Sequence, residues 1–429
     1  MAALFRRNFS CPSRDDVGNS CTDLDVVLVC RSTFWDMAYD PAVAMDFFHG
    51  QPYEMWNVER EKCPVLQSEG SFGLGSGYSV IDWAHAESVL RDPATFSSAI
   101  NMDHIGQFMG ELIVGLDGEE HRTYRNLVAK AFRQSQLDKW DASLVRPLMN
   151  ELIDGIAHLG SAELVRDVTA KYPVQVICGI VGIPKDEALQ FQQWAEGINT
   201  GPIDPDAGFA AKHAMTEYLR PFVESRRAEP IGDFLSDLVH AEVDGETLAD
   251  ERLWGFLRLL LPAGAETTYR VFGNALYALL THPDIMERVQ ADASLIPAVI
   301  EETLRWESSV TMVSRRATTD TEIAGCPIAA GSTVGVITGA ANRDGSHFER
   351  PNEFDIARPP ALHMAFGTGP HQCLGMHLAR LELHAGLEIV LERLPNLRFD
   401  PTDSGPTPVI EGFAFRGPNR LPVVFDSVA

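Results

Sequence analysis

The segment F-G-T-G-P-H-Q-C-L-G, residues 366–375, is the most informative part of this chain. Its cysteine, Cys373, comes just before a long helical pattern, so a thiolate there would face free backbone N–H groups and the positive end of the helix dipole. Gly367 and Gly369 let the preceding loop turn tightly and approach a flat ligand, and Gly375 permits the same closeness on the helix side. The segment is therefore a suitable cradle for a cysteine thiolate bound to haem iron.

A structural role is the common alternative for a lone cysteine, which is usually buried and inert. The spacing F-x-x-G-x-x-x-C-x-G around Cys373 counts against that alternative. Such a pattern should arise by chance on the order of once in several thousand chains of this size. The sequence therefore favours a haem ligand at this position over a structural cysteine.

Composition indicates a globular protein with a large core. The 429 residues are 45% hydrophobic and 22% charged, which excludes a disordered chain, a collagen-like repeat and a small disulfide scaffold. The net charge of −25 disfavours a nucleic-acid binder and an anionic membrane surface. No membrane anchor is predicted, because the most apolar stretch, Leu253–Ala265, is interrupted by Arg258 and Pro262.

The cysteines and the first residues bear on location and domain limits. The seven cysteines include no C-x-x-C pair, which argues against zinc and iron–sulfur frameworks, and a reducing cytoplasm is the simplest compartment. Residues 1–40 lack clear periodicity and no apolar segment follows their basic start, so they are predicted to be a poorly ordered leader. Residues 41–429 are predicted to be one domain, since no linker divides them.

Helical spacing dominates the chain, and short strands cluster locally, which indicates a mainly α protein with small β-sheets. The longest helical pattern covers about residues 248–280, and Pro262 and Gly264 in its middle predict a local distortion. A second helix is predicted over residues 374–394, directly after the cysteine segment. The long connection over residues 93–118 is of a length that is usually functional.

The cysteine segment resembles the haem-binding loop of the cytochrome P450 family, the haem-thiolate monooxygenases. Phe366, Gly369, Cys373 and Gly375 match that loop, and the extension Leu378–Arg380 is similar to the soluble bacterial branch. The resemblance covers the chain from about residue 45 to its end. It implies a single-domain cytochrome P450 fold in which haem b lies between the long central helix and the helix that follows the cysteine. Cys373 would then be the axial ligand of the iron, with Phe366, Gly367 and Gly375 around the haem.

A second motif lies in the middle of the longest helix. Glu266 and Thr267 place a carboxylate next to a hydroxyl, beside Gly264, and such a pair can relay protons to a buried site. Alone, a Glu-Thr pair on a helix is more often a solvated face. The resemblance implies that Thr267 holds dioxygen and its water at the iron, while Glu266 gates protons.

A third motif is Glu302-x-x-Arg305, which alone would most often be a surface ion pair between neighbours on a helix. The resemblance implies a buried structural pair behind the haem. The family's usual third partner is an arginine in the coil before the cysteine segment, but Glu353 stands at that place here. The third member therefore stays open, with Arg358 as the candidate.

A fourth group is cationic. Haem carries two propionates, and burying them requires Arg or His partners. His121 and Arg125 are spaced by four residues on one predicted helix, Arg315 lies in a predicted strand, and His371 precedes the cysteine by two residues. All four match the family's propionate positions, whereas strand alternation points Arg316 away from Arg315.

The leading hypothesis is a haem-dependent monooxygenase that inserts one atom of O2 into an apolar organic substrate. Its electrons would come from a ferredoxin or flavodoxin with an NAD(P)H-dependent reductase, and the family expectation is a monomer. A peroxide-driven haem-thiolate enzyme is the first alternative, but it would not need the pair Glu266 and Thr267. A non-catalytic haem-binding sensor or carrier, and a helical scaffold without cofactor, are the others.

The substrate pocket is predicted from the segments that must pass over the haem: the long connection, the central helix, the segment after Arg305 and the last strands. Nearly all of the candidate side chains are apolar and none is basic, which favours a medium-sized apolar substrate such as a terpenoid, a steroid or another alicyclic or aromatic compound. The predicted lining residues are Ile100, Met102, Phe108, Leu260, Ala263, Val310, Val313 and Phe413.

Four basic residues follow the predicted propionate ligands, at Arg122, Lys130, Arg133 and Lys139. They are either ordinary scattered surface charge or a local basic patch near the Cys373 side. A patch of that kind would steer an acidic ferredoxin to the site of electron delivery.

Overall fold

The computed structural model describes residues 52–68, 77–185, 188–202, 204–243 and 245–427. The leader predicted over residues 1–40 lies outside them. The helices are α1 (Tyr53–Lys62), α2 (Trp83–Arg91), α3 (Gln107–Met109), α4 (Gly118–Ala129), α5 (Gln134–Trp140), α6 (Arg146–Asp154), α7 (Tyr172–Val181), α8 (Ala188–Thr200), α9 (Pro205–Ala228), α10 (Phe234–Val239), α11 (Asp250–Thr281), α12 (Pro283–Ala291), α13 (Ile296–Trp306), α14 (Thr338–Ala341) and α15 (Met376–Arg393).

Short strands accompany these helices and form small sheets. The strands are β1 (Val65–Ser68), β2 (Gly77–Val80), β3 (Phe96–Ser97), β4 (Ser161–Glu163), β5 (Glu242–Val243), β6 (Glu246–Thr247), β7 (Val313–Ala317), β8 (Thr321–Ile323), β9 (Cys326–Ile328), β10 (Thr333–Val336), β11 (Arg398–Phe399), β12 (Ile410–Glu411), β13 (Gly417–Pro418) and β14 (Pro422–Val424). The largest sheet has the order β1-β2-β10-β7-β3.

The central helix α11 is the axis of the hydrophobic core. It packs against α7, α8, α13 and α15, and apolar residues such as Leu257, Phe272 and Leu276 are buried along it. Pro262 lies inside α11, yet the helix continues through it from residue 250 to residue 281. The distortion predicted near Pro262 thus does not interrupt the helix, because packing along the whole helix outweighs the weak propensity of one proline.

The largest sheet sets the direction of two neighbouring arginines. Arg315 lies opposite Val334 in the antiparallel pair of β7 and β10. Its side chain is buried, whereas Arg316 turns to the other face and forms an ion pair with Asp103 at 2.6 Å. The alternation of side chains along a strand thus gives only Arg315 access to the interior.

Glu302 and Arg305 form a buried ion pair on α13. Arg305 donates two hydrogen bonds to the Glu302 carboxylate, at 2.8 and 2.7 Å, and both side chains are almost fully buried. Arg358 Nε lies 3.3 Å from both Glu302 carboxylate oxygens, so Arg358 occupies the third position. Glu353 contributes its backbone carbonyl to Arg305 at 2.8 Å, while its side chain pairs with Arg350.

A second buried network joins the first helix to the last strands. Glu307 accepts hydrogen bonds from Tyr53 at 2.8 Å, from Arg343 at 3.1 Å and from Arg416 at 3.1 Å. Burial, followed by the Glu307 charge, raises the pKa of Tyr53, so the phenol stays protonated and donates. This network connects segments more than 250 residues apart, from α1 to α13.

The buried pair has an exposed counterpart with the same spacing, Glu217 and Arg220 on α9. Arg305→Met should lower the free energy of unfolding by about 3–5 kcal/mol, because it leaves the buried Glu302 charge with only the longer contacts to Arg358 as ionic partner, beside one hydrogen bond from the Asp355 N–H. Arg220→Met should leave stability nearly unchanged, since its pair lies in solvent. Urea denaturation of both variants measures the difference, and equal losses would contradict the structural role of the buried pair.

Candidate active site

A cavity of ≈ 420 Å³ lies between α11, α15 and the Cys373 loop. Apolar side chains form most of its wall, and they come from α4, α7, α11 and the segment after α13. A larger cleft of ≈ 850 Å³ lies elsewhere, between α5, α7 and α10, and neither Cys373 nor Thr267 lines it. The smaller cavity therefore holds the candidate chemistry.

The Cys373 loop has the shape that its glycines predict. The Cys373 N–H donates to the Phe366 carbonyl at 2.8 Å, which closes the loop. Gly367 and Gly369 have φ values of +64° and +75°, and a Cβ at Gly369 would come within 2.6 Å of the Leu90 carbonyl oxygen. The following helix begins at residue 376, two residues later than predicted.

Cys373 lines the cavity, and its side chain is accessible from it. Burial raises the pKa of the Cys373 thiol, while a hydrogen bond from the Gly375 backbone and the charges of Arg125 and Arg380 lower it. A Cβ built on Gly375 would meet no heavy atom within 4 Å. The loop thus leaves open space beside a thiol whose anion is supported by a backbone donor and two cations.

Arg315 is the buried cation of the cavity wall. Its side chain is 6% exposed and donates one hydrogen bond, to the Ser314 carbonyl at 2.8 Å. No ion pair joins it to any carboxylate among the residues that the structure describes. Burial lowers the pKa of Arg315, and Asp117 offsets part of that effect. A buried guanidinium without an ion pair is stabilised when an anionic group binds beside it in the cavity.

Three further basic residues stand at the same end of the cavity. Arg125 donates to the Gln372 carbonyl at 2.5 Å, and His371 Nε2 lies 3.0 Å from a carboxylate oxygen of Asp117. The His121 ring centroid lies 4.0 Å from that of His371. Burial, with the positive neighbours His371 and Arg125, lowers the pKa of His121 to about 4, so its ring is neutral at pH 7.

These residues fit the haem that the sequence implies. The four residues predicted to hold the propionates all line the cavity, together with Phe366, Gly367, Cys373 and Gly375. The thiol, the glycine cradle and the cation without an ion pair match a flat macrocycle with an iron at its centre and carboxylates at one edge.

Of the two residues predicted to relay protons, Thr267 lines the cavity and Glu266 does not. Thr267 lines the cavity, and its hydroxyl donates to the Ala263 carbonyl at 2.9 Å, one turn back along α11. Glu266 is buried, does not line the cavity and accepts hydrogen bonds from Arg270 at 2.6 and 2.8 Å. The structure therefore brings Thr267 to the site and ties Glu266 to Arg270.

Half of the predicted pocket residues line the cavity. Leu260, Ala263, Val310 and Val313 do so, because α11 and the segment after α13 run beside the Cys373 loop. The other four predicted residues are wrong as pocket residues; they are fully or partly buried in neighbouring packing: Ile100, Met102, Phe108 and Phe413.

The corrections have a physical reason in each segment. The Phe108 ring lies between Gly201 and Gly208, where a Cβ would come within 2.8 and 2.7 Å of it. Met102 packs against Gly115 and accepts a hydrogen bond from the Leu112 backbone at 3.4 Å. Phe413 belongs to a separate core cluster with Tyr53 and Trp56. An apolar loop residue can lie either in the wall of the cavity or in the core, and its position in the sequence does not distinguish the two locations.

The structure adds lining residues that the sequence reasoning missed. They are apolar, and a stricter count of the 3.6-residue period along α11 from Leu260 and Ala263 would have found Phe256, Leu259 and Val271. The missed apolar residues include Ile113, Val114, Phe132, Ile177, Phe234, Phe256, Leu259 and Val271. None of the described helices is long and apolar enough to cross a bilayer.

The chain is similar to known proteins along most of its length. The family model for Cytochrome P450 matches residues 207–419. The steroid C26-monooxygenase of Mycolicibacterium smegmatis is 34% identical over 390 residues, covering 89% of this chain and 94% of the relative. The cytochrome P450 monooxygenase PikC of Streptomyces venezuelae is 33% identical over 382 residues, covering 85% of this chain and 90% of that protein.

Solved structures show the same fold. CYP109E1 from Bacillus megaterium in complex with testosterone has a TM-score of 0.78 at 30% identity, covering 88% of this chain and 99% of that chain. P450BioI in complex with a hexadecenoic-acid-ligated acyl carrier protein has a TM-score of 0.80 at 27% identity, covering 88% and 98%. The expected mainly α fold with small sheets is thereby confirmed. This chain belongs to the cytochrome P450 family and is a monooxygenase that uses haem b as its cofactor.

Proposed function

We propose that this monooxygenase hydroxylates, or oxidises in a similar way, a mostly apolar substrate of medium size. The observation that carries the proposal is the apolar cavity wall, which includes Leu260, Val310 and Val313 beside the Cys373 loop. The buried cations sit at one end of the wall, where we assign them to haem, so an acidic substrate has no free arginine partner among the described lining residues. A relative is a steroid C26-monooxygenase and a similar structure binds testosterone, which supports a steroid, terpenoid or other alicyclic substrate.

The cofactor-binding residues are part of the same proposal. Cys373 ligates the iron as the thiolate, and His121, Arg125, Arg315 and His371 hold the propionates. Phe366, Gly367 and Gly375 form the surface of the loop against the ring. When bound, thiolate-ligated haem supplies the iron at which dioxygen is activated.

Thr267 is the residue that we assign to proton supply in the cavity. Its hydroxyl would hold a water molecule by hydrogen bonding and pass a proton into the cavity, since it is the hydroxyl of the proposed pair that lines the cavity. Glu266 would reach the relay only after it exchanges its hydrogen bonds to Arg270 for water. Glu266 is therefore a gate in this proposal, and Thr267 is the residue that would deliver the proton inside the cavity.

We assign electron delivery to a ferredoxin or flavodoxin with an NAD(P)H-dependent reductase. The side chains of Arg122, Lys130, Arg133 and Lys139 are exposed and could guide an acidic partner to this side of the protein. Three of them also line the larger cleft, whose opposite wall carries acidic residues, so the attraction is local. We also propose a cytoplasmic location, which is the simplest compartment for a chain whose seven cysteines are scattered and include no C-x-x-C pair.

A peroxide-driven reaction is the second candidate. The observation that favours it is the ion pair of Glu266 with Arg270, which removes the carboxylate from the relay in this conformation. Peroxide carries its own electrons and protons, so such a reaction would need less from the relay. Turnover with peroxide, but none with reduced ferredoxin, would select this candidate.

The iron ligand is tested by Cys373→His. This variant should lack the red-shifted carbon monoxide band of thiolate ligation, because imidazole replaces the thiolate. Cys63→Ser is the matched control, since its hydroxyl can keep the hydrogen bond to the Val65 carbonyl and the spectrum should not change. Persistence of the red-shifted band in Cys373→His would overturn the assignment.

The proton role is tested by Thr267→Ala. Product per NAD(P)H should fall at least several-fold, with peroxide released, because a positioned proton donor contributes about 10²–10⁴-fold. Thr281→Ala on the same helix removes the same kind of hydrogen bond, from a hydroxyl to the carbonyl four residues back, and should leave the yield unchanged. The assay with ferredoxin and reductase, repeated with peroxide alone, separates the two candidate reactions. An unchanged yield in Thr267→Ala would remove it from the relay.

The substrate class is tested by titrating steroids, terpenes, fatty acids and short aromatic acids against the ferric spectrum. Steroids or terpenes should bind at least about tenfold more tightly than short acids, because an apolar wall rewards buried apolar surface. Ala263→Leu, which projects into the cavity, should weaken that binding, whereas Ile100→Val, outside the cavity, should not. Tight binding confined to short carboxylic acids would contradict the proposed substrate class.

A further inference from the structure

A cation lies on the aromatic ring that belongs to the Cys373 loop. The Arg380 guanidinium stands over the Phe366 ring, 4.7 Å from its centroid. The carbonyl of the same Phe366 accepts the Cys373 N–H at 2.8 Å. The Phe366 side chain therefore lies between the Arg380 charge and the backbone carbonyl that binds the Cys373 N–H.

Two side chains from other segments hold Arg380 in place. Glu301, on α13, accepts two hydrogen bonds from the guanidinium, at 2.6 and 2.9 Å. His363 Nε2 lies 3.1 Å from Glu301 Oε2. Burial raises the pKa of Glu301, but the hydrogen bonds from Arg380 and His363 outweigh it and bring the pKa to about 2. Glu301 is thus ionised at pH 7.

The backbone determines the hydrogen-bonding roles of the two His363 ring nitrogens. The Ala365 N–H donates to His363 Nδ1 at 3.3 Å, so this nitrogen acts as an acceptor. Nε2 is then the nitrogen that donates to Glu301. In this cluster the Arg380 guanidinium lies on the side of Phe366.

The charge of Arg380 reaches the thiol through space. Among the influences on Cys373, Arg380 and Arg125 are the two charges that favour its anion. Arg125 is already assigned to a haem propionate, whereas Arg380 does not line the cavity. Arg380 is therefore a cation near the iron ligand that the proposed reaction does not otherwise use.

We propose that Arg380, fixed over Phe366 by Glu301 and His363, is a positioning residue that raises the reduction potential of the haem iron. The inference rests on the proposed role of Cys373 as the axial ligand. Reduction adds one electron from the redox partner to the iron–thiolate unit, and no bond forms or breaks. A nearby cation stabilises the added negative charge, and solvent screens part of that effect because the Arg380 side chain is 32% exposed.

The test measures midpoint potentials of the haem-loaded full chain by spectroelectrochemistry. Arg380→Met should make reduction about threefold to tenfold less favourable, where tenfold corresponds to 59 mV for one electron. Glu301→Gln should shift the potential upward, because the amide carbonyl can still accept a hydrogen bond from Arg380 while the opposing charge is gone. If the electric field of the ion pair sets the potential, the two variants should shift the midpoint potential in opposite directions. Loss of structure would shift it in the same direction in both variants.

Matched variants complete the experiment. Arg393→Met removes an arginine from the last turn of the same helix, where it pairs with Asp154 at 2.5 Å, and should leave the potential unchanged. Arg380→Lys keeps the charge and should retain most of the wild-type potential. If Arg380→Met does not bind haem, Arg380→Lys and Glu301→Gln still test the inference.

Three results would overturn the proposal. An unchanged potential in Arg380→Met, or shifts of the same sign in Arg380→Met and Glu301→Gln, would refute the field effect. Slower reduction by ferredoxin at an unchanged potential would make Arg380 a docking residue instead. Absence of the thiolate carbon monoxide band in the wild-type protein would refute the role of Cys373 itself, and with it the inference.

Discussion

The buried ion pair of Glu302 and Arg305 determines where the Cys373 loop can lie. The coil that leads into this loop has little regular structure, so its backbone carbonyls need partners from elsewhere. Arg305 supplies them to Pro351 at 2.7 Å and to Glu353 at 2.8 Å, and Glu302 accepts the Asp355 N–H at 2.8 Å. Two charges buried together cost less than either alone, so the pair and the coil stabilise each other. The position of the cysteine, and hence of the cofactor, depends on this arrangement.

The cavity differs from the Glu302 and Arg305 pair, because a charge in its wall has no carboxylate partner among the residues that the structure describes. Arg315 is buried against the wall with a single hydrogen bond to a carbonyl, although an isolated buried cation is unfavourable. Haem provides the missing anions at one edge and apolar surface elsewhere, which is the composition of the cavity wall. The protein therefore has a charge distribution that is complete only with its cofactor, and cofactor binding is part of what stabilises the fold.

Arg380 and Glu301, near Cys373 but outside the cavity, form an ion pair. The orientation of this pair is what matters for the proposed effect on the haem iron. Arg380 is matched by Glu301, so its presence costs the fold little, yet the cation points toward the Phe366 ring and its partner does not. An ion pair oriented in this way acts as a dipole on the thiolate. The same helix that begins after Cys373 thus contributes both its N–H groups and a side-chain cation to the electrostatics of the ligand.

The residues near Cys373 in the chain could be predicted from the sequence, because a glycine, a cysteine and a helix start interact over a few positions. The family, the mainly helical fold and haem follow from that local pattern. Contacts between distant segments could not be predicted in this way. Phe108 packs between two glycines of another segment, and Phe413 packs with Tyr53 and Trp56 of the first helix. Only the tertiary structure decided these contacts, because an apolar or charged side chain has several partners that satisfy it equally well, and packing of the whole chain selects one.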